Sequence, residues 1–255
     1  MPLEIRQIPC LSDNYGYLVH DPSTGQTATI DTPDANAINE ALGKEGWTLT
    51  HIFNTHHHFD HTGGNTALKE QWGCEIIGPR GEAAKIPDID RQVGEGDIVE
   101  LGTLKASVYD TPGHTNGHIV FHFPSEEVAF VGDTIFALGC GRLFEGTAEQ
   151  MWASLSKIAA WPGKTKLFCA HEYTQANAQF ALSVDPDNQA LKTRAAEIDA
   201  ARAQGLPTVP MTVEEELRTS PFMRADQESL KIAVGMGNAI AAEVFAEVRT
   251  RKDNF

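Results

Sequence analysis

Short apolar runs and turn clusters alternate through the first two thirds of the chain. Runs rich in Val, Ile, Phe and Tyr, bounded by Gly, Pro, Asn and Asp, predict strands at 16–19, 27–30, 51–54, 74–77, 105–109, 118–123, 128–131 and 166–169. Helical spacing appears between some of them. One helix is predicted over 36–46 and another over 64–72, with Gly73 in the place expected just past a helix end. Thr147-Ala148-Glu149-Gln150 has the form of a capping box, and Met151, Trp152, Leu155, Ile158 and Ala159 follow on one face before Pro162.

After about Tyr173 the texture changes. Strand runs vanish, and four helical patterns are predicted over 174–183, 187–204, 212–218 and 227–248, punctuated by Gly205, Pro207, Pro210 and Pro221. Thr212-Val213-Glu214-Glu215 is a second capping box. The pattern predicts a mixed α/β domain over 1–172 followed by an all-helical domain over 173–255.

Charge adds a second asymmetry. The net charge is −15, of which −12 falls in residues 1–172 and −3 in the remainder; all ten histidines lie at or before His171. An acidic, histidine-rich half suits divalent cations, whereas it would repel a nucleic-acid backbone. The start of the chain lacks a basic-then-apolar leader pattern, and no apolar run is long enough to span a bilayer. Cys10, Cys74, Cys140 and Cys169 are scattered, with no Cys-x-x-Cys pair. They read as reduced thiols of a cytoplasmic protein, Cys140 and Cys169 as small packing residues.

The densest chemistry is Thr55-His56-His57-His58-Phe59-Asp60-His61. Imidazole and carboxylate form the ligand set that suits zinc, iron or manganese. In an extended segment side chains two apart point the same way, so His56 and His58 can reach one ion together. Asp60 and His61 sit just beyond, where the chain can turn toward a second ion. Three more candidates follow predicted strands: His114 after 105–109, Asp133 after 128–131 and His171 after 166–169. Sites gather at such strand ends.

Seven ligands are too many for one ion and suit two. His56, His58 and His114 would hold the first; Asp60, His61 and His171 the second; Asp133, with two oxygens, could bridge. Two such ions share a water and acidify it, giving a hydroxide near neutral pH. His20, His51, His57, His118 and His122 lack such a placement and read as structural or as supports of ligands, with His51 and His118 foremost among the supports.

These residues resemble the metallo-β-lactamase superfamily, whose hallmark is Thr-His-x-His-x-Asp-His followed by a distant His, Asp and His; all seven ligand positions match. The resemblance implies an α/β fold, a four-layer αββα sandwich with the metals at one edge, here followed by the helical domain. Within the superfamily the chain is similar to the glyoxalase II, or hydroxyacylglutathione hydrolase, family. Three segments carry that: Gly132–Phe136 with Gly139–Arg142 and Phe144–Thr147; Cys169–Thr174 with Asn177; and Pro221–Arg224 with the terminal Arg249–Asp253.

The resemblance implies hydrolysis of S-D-lactoylglutathione to glutathione and D-lactate, the second step of glutathione-dependent methylglyoxal detoxification. A hydroxide shared by two divalent ions, zinc foremost with iron or manganese possible, would attack the thioester carbonyl. Asp60 and Asp133 would be catalytic as well as ligating. Arg142, Phe144, Tyr173, Asn177, Arg249 and Lys252 would contact the glutathione part, the Arg249–Lys252 pair gripping its glycine carboxylate. Phe144 stands where animal members have Tyr, which removes a hydroxyl donor. No Gly-x-Ser-x-Gly elbow is visible, and no Ser or Cys nucleophile is needed. The expected partner is the small thioester, without nucleic acid or membrane, and the expected state a monomer. The alternative is an oxidoreductase, a persulfide dioxygenase with one iron, which would use fewer of the seven ligands.

Overall fold

The computed structural model describes residues 3–255. The chain forms two compact units, one made of the residues up to Asp110 with Asn116–Gly132, the other of Thr111–Thr115 with Asp133–Phe255.

The first unit holds β1 (Glu4–Cys10), β2 (Asn14–Asp21), β3 (Gln26–Ile30), α1 (Ala35–Glu45), β4 (His51–Phe53), α2 (Phe59–Thr62), α3 (Asn65–Trp72), β5 (Glu75–Pro79), β6 (Arg91–Val93), β7 (Ile98–Leu101), β8 (Leu104–Asp110), β9 (Ile119–Phe123) and β10 (Val128–Gly132). Strands β1 to β6 pair in sequence order. The pairs β1–β2 and β2–β3 are antiparallel, and β3–β4, β4–β5 and β5–β6 are parallel. Parallel neighbours need a crossover. Helix α1 supplies the one from β3 to β4: Asp34 caps its start by accepting from the Asn36 and Ala37 N–H groups, and Gly46 ends it in the left-handed region at φ 71°. Ile38 and Leu42, one turn apart, pack with Leu18, Ile52, Leu68 and Ile76 in a buried cluster. This wiring brings the C-terminal ends of β3, β4 and β5 side by side, and the histidine-rich loop leaves from there.

Strands β7 to β10 form antiparallel pairs in the same unit. Along β8 burial alternates, with Leu104, Ala106 and Val108 inward, whereas every residue of β9 and β10 is buried. That difference explains why β9 and β10 read as continuous apolar runs.

The second unit holds β11 (Ile135–Phe136), β12 (Gly139–Cys140), α4 (Ala148–Ala159), β13 (Lys166–Cys169), α5 (Thr174–Val184), α6 (Gln189–Ala203), β14 (Met211–Thr212), α7 (Val213–Thr219), α8 (Glu228–Ala233) and α9 (Ala241–Asp253). Both capping boxes form, Thr147 with Gln150 and Thr212 with Glu215. Two expectations are corrected here. The single helix expected over 227–248 is two helices, because Gly235 takes φ 79° and breaks the run before α9. Strand structure also does not end near Tyr173: β14 pairs with β13 through Lys166–Thr212 and Leu167–Met211, a two-residue strand too short to show a period. The β1, β6 and β7 strands also escape the sequence pattern, being short or rich in polar residues. Among the described residues no helix is long and apolar enough to cross a membrane.

The turn after β2 is held by one buried carboxylate. Asp21 accepts from the Ser23 N–H at 2.9 Å, the Thr103 N–H at 2.7 Å, and the Thr24 and Thr103 hydroxyls at 2.9 Å each. Burial opposes its ionisation, but the bonds donated by Ser23 and Thr103 outweigh that and hold it well below the usual carboxylate range. A depressed pKa contributes stability that is complete above the ordinary value of about 3.9 and is lost as pH falls through the folded value. Thermal unfolding should therefore show a midpoint that drops as pH is lowered below about 4, and Asp21→Asn should flatten part of that slope; an identical slope in the variant would contradict the assignment.

Candidate functional site

In the first unit, the loop after β4 is fixed before any ligand is considered. Asp31, just past β3, is buried and takes φ 56°. Its carboxylate accepts from the Thr55 N–H at 2.8 Å, the Thr55 hydroxyl at 2.8 Å and His61 Nδ1 at 2.8 Å. The Thr55 hydroxyl proton is thus committed to Asp31. Its oxygen, 3.1 Å from His56 Nδ1, can only accept there. One carboxylate therefore sets two tautomers: His56 and His61 both carry their proton on Nδ1 and present the Nε2 lone pair. The His61 carbonyl accepts from the Thr32 N–H at 2.9 Å and from Asn54 Nδ2 at 3.0 Å.

Between His56 and His58, His57 turns away. Its backbone N–H and its Nδ1 both lie 2.8 Å from Glu82 Oε2, and Glu82 Oε1 accepts from the Gly117 N–H at 2.9 Å. Glu82 thus pins the loop backbone between His56 and His58. His118 stacks on His56 with ring centroids 4.7 Å apart. His51 does not support a ligand as expected. It sits at the opposite end of β4, beside Thr50 and Glu75.

The donor atoms left facing one another test whether this set fits metal ions. His56 Nε2 lies 3.1 Å from His58 Nδ1, and His61 Nε2 lies 3.5 Å from Asp60 Oδ2. Two donors each about 2.0–2.1 Å from one tetrahedral ion stand about 3.3 Å apart. The spacing is that of co-ligands, and 3.5 Å is long for a direct N–H···O bond.

The second unit repeats the pattern. His114 Nδ1 donates to the Arg142 carbonyl at 2.9 Å, so the ring carries its lone pair on Nε2. That Nε2 is 3.4 Å from Asp133 Oδ2, and His171 Nε2 is 3.5 Å from Asp133 Oδ1. Each Asp133 oxygen faces a different imidazole, the disposition of a carboxylate that serves two ions. His171 stacks on Tyr173 at 4.7 Å, nearly parallel, and meets the Phe136 ring edge-on at 5.7 Å. His114, Asp133 and His171 are all buried. The donors fit zinc, iron or manganese, and no thiolate joins them. Burial pushes the Cys140 thiol up to about 11 and the Cys169 thiol up to about 12, so neither is a nucleophile at neutral pH.

The expected substrate residues also lie in this unit, in two classes. Arg142 is exposed, Phe144 and Tyr173 present exposed ring surface, and Lys252 is half-buried. Burial and then the charges of Arg249 and Arg142 push the Lys252 ammonium below its ordinary 10.5. Asn177 and Arg249 are buried and bonded within the protein, Asn177 Nδ2 to the Ala137 carbonyl at 3.1 Å and Arg249 Nη1 to the Cys140 carbonyl at 3.0 Å.

Asp31 and Glu82 were not singled out from sequence. A lone Asp after a strand reads as a turn residue, and Glu82 lies in a 3-10 turn 25 residues from the histidine it holds. Asp31→Asn should weaken metal binding about ten- to hundredfold, since its NH2 must then face either the Thr55 N–H or the protons of His61 Nδ1 and the Thr55 hydroxyl; metal titration that finds wild-type affinity in a folded variant would contradict the tautomer argument.

Comparison with known proteins gives concordant results. A family model of the metallo-β-lactamase superfamily matches residues 15–171, and a model described as the hydroxyacylglutathione hydrolase C-terminus matches 172–255. A hydroxyacylglutathione hydrolase of Hyphomonas neptunium is 58% identical over 254 residues, covering 99% of this chain and 98% of the relative. That of Maricaulis maris is 54% identical over 253 residues, covering 99% of each. Among solved structures, ETHE1 from Myxococcus xanthus is 25% identical with a TM-score of 0.67 over 98% of each chain. The BLEG-1 B3 metallo-β-lactamase is 21% identical with a TM-score of 0.68, covering 86% of this chain and 99% of that one; this likeness concerns the fold alone. A superfamily model over the first part, a family model over the rest and end-to-end relatives at more than half identity agree: the chain belongs to the hydroxyacylglutathione hydrolase family of the metallo-β-lactamase superfamily.

Proposed function

We propose that the protein hydrolyses S-D-lactoylglutathione and related 2-hydroxyacyl-glutathione thioesters. The observation that carries the reading is the presence, within one unit, of a carboxylate aimed at two imidazoles and of the basic side chains Arg142 and Lys252. The first suits a dinuclear hydrolytic centre, and the second suits a ligand with two carboxylates. The relatives' shared name supports the same substrate class. His56, His58 and His114 would hold one ion and Asp60, His61 and His171 the other, with Asp133 bridging. When bound, the ions supply Lewis acidity and a water acidified to near neutral pH. Zinc is the first expectation and iron or manganese suit the same donors.

The chain's own residues then divide the work. Lys252 and Arg142 hold the carboxylates of the glutathione part. The Phe144 ring, 5.3 Å from that of His114, offers apolar contact and no hydroxyl. The Tyr173 ring backs His171 and presents its exposed edge to the substrate. Asp60 accepts from Asn14 Nδ2 at 3.0 Å through Oδ2, which fixes the carboxylate that would join the second ion. A thiolate leaves with little proton help, since its pKa is only about 8.5. Residues 1–172 would thus carry the chemistry and 173–255 much of the substrate grip. Four free, buried cysteines support a reducing, cytoplasmic setting, and a monomer suffices, because every proposed group comes from one chain.

The oxidoreductase alternative is less supported, as relatives at 52–58% identity carry the hydrolase name. Purified protein should hydrolyse S-D-lactoylglutathione, lose that activity to a chelator and regain it with zinc, iron or manganese. Metal-loaded protein that leaves the thioester intact and instead consumes oxygen with glutathione persulfide would overturn the reading. Lys252→Ala should raise KM roughly tenfold or more with kcat largely kept. Because the Lys252 pKa is lowered, its charge is lost earlier as pH rises. KM should therefore climb on the alkaline side before the ordinary lysine value of 10.5 is reached, a limb that Lys252→Ala removes.

A further inference from the structure

We propose that the segment from Asp133 to Arg142 is a strap through which the helices of the second unit position two metal ligands, and that Arg249 is its main positioning residue. The inference rests on reading His114 and Asp133 as ligands. One end of the strap is Asp133. The other is Arg142, whose carbonyl accepts from His114 Nδ1 at 2.9 Å. Between them lies the β11–β12 hairpin, with only two residue pairs, Ile135–Cys140 and Phe136–Gly139. A hairpin this short does not hold its own shape.

Three helices hold it, each by one buried polar side chain. Asn177 of α5 donates to the Ala137 carbonyl at 3.1 Å, Glu216 of α7 accepts from the Leu138 N–H at 3.0 Å, and Arg249 of α9 donates to the Cys140 carbonyl at 3.0 Å. All three are more than nine-tenths buried. At the tip, Leu138 takes φ 58°, a strained value for a side chain of its size, and packs among Ala178, Ala181, Leu191, Ala195 and Ile198. Such a conformation persists where its surroundings over-determine it. Gly141 closes the strap on both ligands: a Cβ there would overlap the Asp133 carbonyl and stand 2.9 Å from His114 Nδ1.

Arg249 is built for this role. Its other arm, Nη2, meets Asp253 at 2.9 Å, and its guanidinium lies 5.2 Å from the Phe222 ring centroid. The group is thereby aimed at Cys140, two residues from the carbonyl that orients His114. Of the Arg249–Lys252 pair expected to grip substrate, Arg249 thus also donates to the Cys140 carbonyl, and Lys252 Nζ donates to the Ala176 carbonyl at 3.3 Å.

The test is zinc affinity, read by competition with a chromophoric chelator on folded protein, with thermal melts in parallel. Arg249→Ala should weaken one of the two zinc ions about ten- to hundredfold, the usual cost of losing a partner that orients a ligand. Arg249→Lys should recover part of it, since an ammonium can still donate to the Cys140 carbonyl. Asn177→Ala should move affinity in the same direction, and with Arg249→Lys it decides the matter if Arg249→Ala fails to fold. Arg251→Ala is the structural control: Arg251, on the same helix as Arg249, bonds Glu247 and the Val234 carbonyl at the end of α8, so its loss should lower Tm and leave zinc affinity unchanged. Folded Arg249→Ala and Asn177→Ala with wild-type affinity would overturn the strap, provided His114→Ala loses zinc. If His114→Ala keeps both ions, the ligand assignment itself is wrong and the strap falls with it.

Discussion

Imidazole is a directional ligand. It offers a lone pair to a cation from one nitrogen only when the proton is held on the other, and a ring free to flip or change tautomer is a poor ligand. Much of the local structure in this chain meets that requirement. Asp31 holds His61 directly and His56 through the Thr55 hydroxyl. The Arg142 carbonyl does the same for His114. Each of these acceptors is in turn fixed by the fold. Asp31 leaves the end of β3 in a left-handed turn, and Arg142 follows a hairpin tied down by three helices.

The sheet wiring makes the arrangement affordable. Parallel strands β3, β4 and β5 end together, so the Asp31 turn and the histidine loop meet without any long excursion of chain. Buried polar groups are costly unless bonded, and those of the loop are bonded densely. Asn54 and Thr32 meet the His61 carbonyl, and Glu82 takes the His57 N–H. The acidic balance of residues 1–172 has a matching logic, since carboxylates facing imidazoles at co-ligand spacing are stabilised by cations. Lys252, one of the basic groups proposed for the anionic substrate, lies instead in residues 173–255, where the net charge is −3.

Candidate ligands announce themselves in sequence because their chemistry is dense and local. His56 to His61 fall within six residues, and His114, Asp133 and His171 each follow an apolar strand, as the structure also shows. Capped helices were legible for the same reason, with Thr147–Gln150 and Thr212–Glu215 completing their signals within four residues. Acceptors that orient ligands are different. Asp31 and Glu82 act across 30 and 25 residues on groups that no local pattern links to them. The buried state of Arg249 was equally hidden, because a basic residue near a chain end reads as solvated until the hairpin it reaches is in place. The break between α8 and α9 was missed because one left-handed glycine outweighed a continuing helical pattern.

The proposed centre would hold two ions sharing Asp133. The most direct measurement is titration of metal-free protein with cobalt(II), followed by metal uptake and electron paramagnetic resonance. Two equivalents should bind, the second altering the signal of the first through the shared carboxylate, with that coupling lost in Asp133→Ala. Saturation at one equivalent, or two equivalents with simply additive signals, would contradict it.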